Sequence, residues 1–319
     1  MHAMGCLCLG LFSFLAVPGE PLRFLDTYRE RAAATGPLYS RGWTEESVRW
    51  AEAFLPQAKV RVEARLGRQM EGRFTTVLVS DFRELRDVVR RLGGDVENPH
   101  TRGVTLPSHR LIVVRGDVLF DAMGGDPRAV TLTHEVAHLV LHRRPGLRLP
   151  RWLDEGVAVW VSQEQLTFRD EAELSLLARA GGLYSFEGLE ERFPESHNLT
   201  TIAYRQSHLM VVFLEEQYGA EAIVELLDRL EGDAPVQQAL EVISGLSLEE
   251  LEEDFVHWTA SRHSLLVSLV ALVNIWTLCA LLALVAIARY IFKKRRGMRR
   301  LEDEDRREDE DRQIGAEPD

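Results

Sequence analysis

The chain has 319 residues, enough for one or two domains, with a formal net charge of −12 and a hydrophobic share of 45%. The acidic balance argues against a basic nucleic-acid-binding face, so no nucleic acid is expected as a partner. Cys6, Cys8 and Cys279 are the only cysteines and lie in apolar terminal blocks. The region between them therefore holds neither a disulfide framework nor a cysteine-ligated metal.

The first apolar block runs from Ala3 to Pro18. It is short for a bilayer span and suits the core of a signal peptide, so residues 1–19 are expected to send the chain out of the cytoplasm. Thr44 is placed to cap an amphipathic helix with Val48, Phe54 and Leu55 inward. Arg73 to Ser80 alternates like a strand, and Asp81 with Glu84 predicts a capping box for a helix ending near Gly93. Leu111 to Val114 is a short apolar strand. From Asp126 onward the pattern is helical. Asp126-Pro127 is a strong helix start, and Arg144-Pro145-Gly146 is a stop. Pro150 opens another helix, and Ser247 with Glu250 forms a capping box ahead of Leu251 and Phe255. No internal repeat is visible. The fold class is α+β: a small sheet with a helix, then a helical part, in one domain over residues 20–262.

The second apolar block runs from Leu265 to Phe292 and carries no charge from Leu265 to Ala288. Such a run predicts one C-terminal transmembrane helix within residues 263–292. The basic cluster Lys293 to Arg300 marks its cytoplasmic side, and the charged residues after it suit a disordered tail ending at 319. Cleaved or not, the first block places the domain outside the cytoplasm. The chain is thus expected to be a single-pass membrane protein with its tail inside.

The chemistry lies in T-H-E-V-A-H-L-V-L-H, Thr133 to His142. His134 and His138 stand one helical turn apart on one face and can converge on one cation. Glu135 is rotated by about 100° from His134, beside that cation, where it can take a proton from a water. A catalytic zinc needs a third protein ligand and an open position. His142 is a further turn away, too far to join. P-R-W-L-D-E-G, Pro150 to Gly156, supplies the better answer after a turn and an antiparallel return. Glu155 is favoured there as the third ligand, with Asp154 its competitor. Both acids could instead serve the helix dipole alone.

These residues resemble the gluzincin superfamily of zinc metallopeptidases, and most of all its peptidase MA-like family. The matching pieces are H-E-V-A-H-L-V-L-H, L-P-R-W-L-D-E-G-V-A, and A-Y-R-Q-S-H-L-M-V-V-F-L-E-E-Q-Y-G from Ala203 to Gly219. The resemblance implies one Zn2+ per chain, a peptide or protein substrate, and Tyr204 as the donor that steadies an oxyanion, with His208 a weaker second candidate. It also implies an exposed edge strand, Gly103 to Leu106, whose Val104 and Thr105 backbone groups pair with an extended peptide. The aminopeptidases of this superfamily grip a free amine with a glutamate on that strand. Here the stretch reads R-G-V-T-L-P, so an endopeptidase is expected. Val159 stands where some relatives carry an acid that orients a ligand histidine, so another group must do that work. The rival reading is a zinc-stabilised, catalytically weak surface binding module. An intramembrane protease fails, because Leu265 to Phe292 contains no His, Asp or Glu.

Overall fold

The computed structural model describes residues 22–117, 126–142, 149–272, 280, 282–296 and 298. The expected signal segment, the expected Arg144-Pro145-Gly146 stop and the acidic tail after Arg300 lie outside them. The chain divides into two compact units, Met1–Ser264 and Leu265–Asp319.

The first unit opens with a hairpin of strands β1 (Arg29–Ala33) and β2 (Gly36–Ser40), which the sequence pattern does not announce. Helix α1 (Glu45–Leu66) follows, with Thr44 accepting from the Ser47 amide as expected. Its inward residues include Val48 and Leu55, while Phe54 is half-buried and stacks on Trp50. Strand β3 (Thr75–Val79), helix α2 (Phe82–Arg91), and strands β4 (Gly103–Leu106) and β5 (Leu111–Arg115) complete the sheet. The strand order is β1-β2-β3-β5-β4. Strands β2, β3 and β5 run parallel, with antiparallel β1 and β4 at the edges. The capping box expected ahead of α2 is only half made. Asp81 caps the Glu84 amide, but the Glu84 carboxylate accepts from the Ser80 amide and hydroxyl instead. Arg41 lies on the other side of that carboxylate.

Both faces of the sheet are covered. Val77, Val79, Leu111 and Val113 pack with Leu85, Val88 and Val89 of α2. Leu78, Ile112 and Val114 face the larger core with α1 and the later helices. That is why β5 reads as a continuous apolar run rather than an alternating one.

The helical part begins with α3 (Pro127–Leu141) and α4 (Arg151–Ser162). It continues through α5 (Phe168–Arg179), α6 (His197–Tyr218), α7 (Ala220–Glu231), α8 (Val236–Ser244) and α9 (Leu248–Ser261). The Ser247–Glu250 capping box forms in full. Helix α4 packs between α3 and α6. In the second unit, Leu265–Leu272 and residues 282–296 are helical. Among the described residues no helix is long and apolar enough to cross a membrane. The expected span from Leu265 to Phe292 falls partly outside them.

Candidate metal centre

Helix α3 starts where its sequence requires: Asp126 accepts from the Arg128 amide and Pro127 occupies the first turn. Every residue from Thr131 to Leu141 is buried, so its polar face is enclosed by protein. His134, Glu135 and His138 lie within that stretch. Helix α4 enters after Pro150, and the Arg151 amide, which its own helix cannot use, donates to the Glu190 carbonyl at 2.7 Å. Trp152 and Leu153 anchor α4 in the core, and that rotation brings Asp154 and Glu155 to α3.

Three donor atoms meet. His134 Nε2 and His138 Nε2 are 3.1 Å apart, and Glu155 Oε2 lies 3.5 Å from the first and 3.8 Å from the second. Ligands bonded to zinc at about 2.0–2.1 Å in a tetrahedron stand about 3.3–3.4 Å from one another. The observed triangle has the size for one such ion, and two imidazoles with a carboxylate are donors that zinc accepts. Burial opposes ionisation of Glu155, but Arg151 and the two histidines outweigh it and hold its pKa below the usual range. Arg151 Nη2 lies 2.8 Å from Glu155 Oε1, the oxygen turned away from the imidazoles.

Asp154 takes a different place from its neighbour. Its Oδ1 is 3.0 Å from His138 Nδ1, the ring nitrogen opposite the triangle, and 3.0 Å from His142 Nε2. Burial would raise the Asp154 pKa, yet His142 and His138 hold it well below the usual carboxylate range. Asp154, His138 and His142 are also close enough to hold an ion. The geometry suits the first group better, because a carboxylate on the far nitrogen is what fixes the tautomer of a metal-bound histidine. Asp154 thus stands where an orienting group would, a place that the side chain of Val159 cannot fill. His142 caps α3 and serves Asp154, outside the triangle.

Glu135 is buried beside the two histidines, and the Thr105 hydroxyl lies 2.6 Å from its Oε2. Tyr204 of α6 is buried as well. Its ring meets Phe193 edge-on at 4.8 Å, and its hydroxyl is 3.4 Å from Arg151 Nη2. Arg151 thus stands between Glu155 and Tyr204. His208, one turn further on, has its pKa pushed down to about 4 by burial and by Arg262, which caps the end of α9.

A family model described as the peptidase MA superfamily matches residues 95–261, just over half of the chain. The chain belongs to the peptidase MA superfamily. A comparison with curated proteins gave no match. The matched region runs from just ahead of β4 to the end of α9 and contains His134, Glu135, His138, Asp154, Glu155 and Tyr204. Peptidase MA domains are typically metal-dependent, and the His134, His138 and Glu155 group is suited to holding the ion. The superfamily makes a peptidase of this domain and a peptide or protein its substrate.

The edge strand needs a correction. Strand β4 does lie at the edge of the sheet, but all four of its residues are buried. The Arg115 amide donates to the Arg102 carbonyl, and Val104 is registered with Val113. Antiparallel pairing alternates, so the Val104 amide and carbonyl point at β5. The groups turned to the other side belong to Gly103 and Thr105. Glu164, just after α4, is a further acid beside the centre that sequence reasoning passed over. Burial raises its pKa against the pull of His134 and Arg102, and Arg102 Nη1 lies 3.6 Å away. Its Q-E-Q surroundings carry no periodic or capping signal that could have singled it out.

Proposed function

We propose that the domain is a zinc-dependent endopeptidase, held to a membrane by the second unit and facing away from the cytoplasm. The observation that carries the enzymatic part is the donor triangle with a glutamate beside it on the same helix. His134, His138 and Glu155 hold the ion, and Asp154 sets His138 with its Nε2 toward it. A zinc ion there supplies Lewis acidity toward a peptide carbonyl and a water. Glu135 takes the proton of the attacking water on its carboxylate and returns it to the departing amine. Tyr204 donates its hydroxyl to the oxygen that gains charge, with Arg151 beside it. A binding module would need the ligands but no base, and Glu135 is retained. The absence of an acid on β4, together with the engagement of Glu164 by Arg102, supports cleavage within a chain.

Glu135→Gln keeps the shape and removes the base. It is expected to retain about one zinc per chain by elemental analysis while hydrolysis of an internally quenched peptide falls by about 100-fold or more. His138→Ala is expected to lose the metal. Full hydrolysis by Glu135→Gln would end the catalytic reading, and full metal in His138→Ala would end the ligand assignment. N-terminally acetylated and free peptides are expected to be cut alike. Loss of cleavage on acetylation would make the enzyme an aminopeptidase.

A further inference from the structure

The geometry points to Gly103 and Thr105 of β4 as positioning residues for Glu135, which together fix where its carboxylate stands. This rests on the reading of Glu135 as the base. Gly103 and Thr105 are alternate residues of one strand, so they share a face. That face is turned to α3, while Val104 and Leu106 pack on the opposite side with α2. Thr105 is wholly buried, and its hydroxyl lies 2.6 Å from Glu135 Oε2 and 2.9 Å from the Glu135 carbonyl oxygen. A hydroxyl has one proton to donate, and the carboxylate oxygen is the nearer of the two acceptors, so Thr105 bonds the Glu135 side chain while lying against its backbone carbonyl.

Gly103 acts from the other side by lacking a side chain. A Cβ there would stand 2.5 Å from Glu135 Oε1 and 2.8 Å from both its Cδ and its Cγ. The carboxylate therefore fills the space that any other residue at 103 would take. One oxygen is held by a hydroxyl and the other rests against bare backbone. Neither residue is a metal ligand. The strand thereby sets the base independently of the ion, and this is a chemical reason for a glycine and a threonine in the G-V-T-L stretch.

The test uses the full chain loaded with zinc and an internally quenched peptide that the unaltered protein cleaves. Thr105→Val is expected to lower kcat by about 10-fold to 100-fold, as misplacement of a catalytic group does. Zinc content and KM should stay near those of the unaltered protein. Thr105→Ser restores the hydroxyl and should recover most of kcat. Gly103→Ala should also lower kcat with zinc retained, because its methyl group displaces the carboxylate and no metal ligand. Unaltered kcat in Thr105→Val or in Gly103→Ala overturns the proposal. So does equal loss in Thr105→Val and Thr105→Ser, which would mean packing rather than the hydroxyl. Should Thr105→Val fail to fold, Gly103→Ala decides. Glu135→Gln run alongside separates the two readings: if it still hydrolyses, the base assignment is at fault, and if it is inert while Thr105→Val is normal, only the positioning role fails.

Discussion

Asp154 and Glu155 are adjacent in the chain and act on opposite nitrogens of His138. Glu155 completes the triangle through Oε2, while Asp154 holds Nδ1 from behind. Asp154→Ala should therefore leave all three ligands in place and still weaken zinc binding. The expected loss is about 10-fold to 100-fold in affinity, the usual effect of removing such a partner. Competition with a chelator of known affinity measures it, and unchanged affinity would show that Asp154 only neutralises His142. At this scale the sequence was partly readable. His134, Glu135 and His138 follow from a spacing of one helical turn, which the backbone enforces. Two neighbouring acids cannot be told apart by spacing, because either could turn inward until the helix that carries them is docked. Arg151 stands one turn before Glu155 and could have been noticed. Gly103 and Thr105 were marked only as part of an edge strand, since their contacts with Glu135 cross the chain.

The elements repeat the lesson in terms of local and distant signals. Helix starts at Thr44, Asp126 and Ser247 are written locally, and each forms as read. Asp81–Glu84 has the same local signature, but Ser80 offers Glu84 two donors and wins it. The register of β4 depends on β5, so which of its amides face outward was beyond the sequence. Helix packing is similarly distant. Gly156 of α4 sits against α6, where a Cβ would meet the Ser207 carbonyl and, at 2.8 Å, Val211 Cγ2. Gly156→Ala forces α4 and α6 apart. It should destabilise the domain by about 1–3 kcal/mol, as overpacking does, and it should weaken zinc binding as Glu155 shifts. Denaturant melts with and without zinc check both. A wild-type midpoint in Gly156→Ala would show that the contact is soft.

At the scale of the whole molecule, the proposed reading gives the chain from Leu265 onward the task of placing the chemistry. The charge-free run from Leu265 to Ala288, with Lys293-Lys294-Arg295-Arg296 shortly after it, supports the proposed membrane anchor with those lysines and arginines in the cytoplasm. Two measurements test this. The protein should resist alkaline carbonate extraction from membranes. Protease added outside sealed right-side-out vesicles should remove residues 22–264 while an epitope placed after Asp319 survives. Release by carbonate would rule out the anchor, and loss of the epitope would reverse the topology. The parts of the centre are spread from Gly103 on β4 to Tyr204 on α6, with α3 and α4 between them. A ribosome delivers these parts in that order. A chain halted before His197 can already carry His134, His138 and Glu155, yet it lacks the phenol that the proposed chemistry needs. On the proposed mechanism such a chain could hold the ion before it could steady an oxyanion, so activity is expected only once α6 has been made and docked.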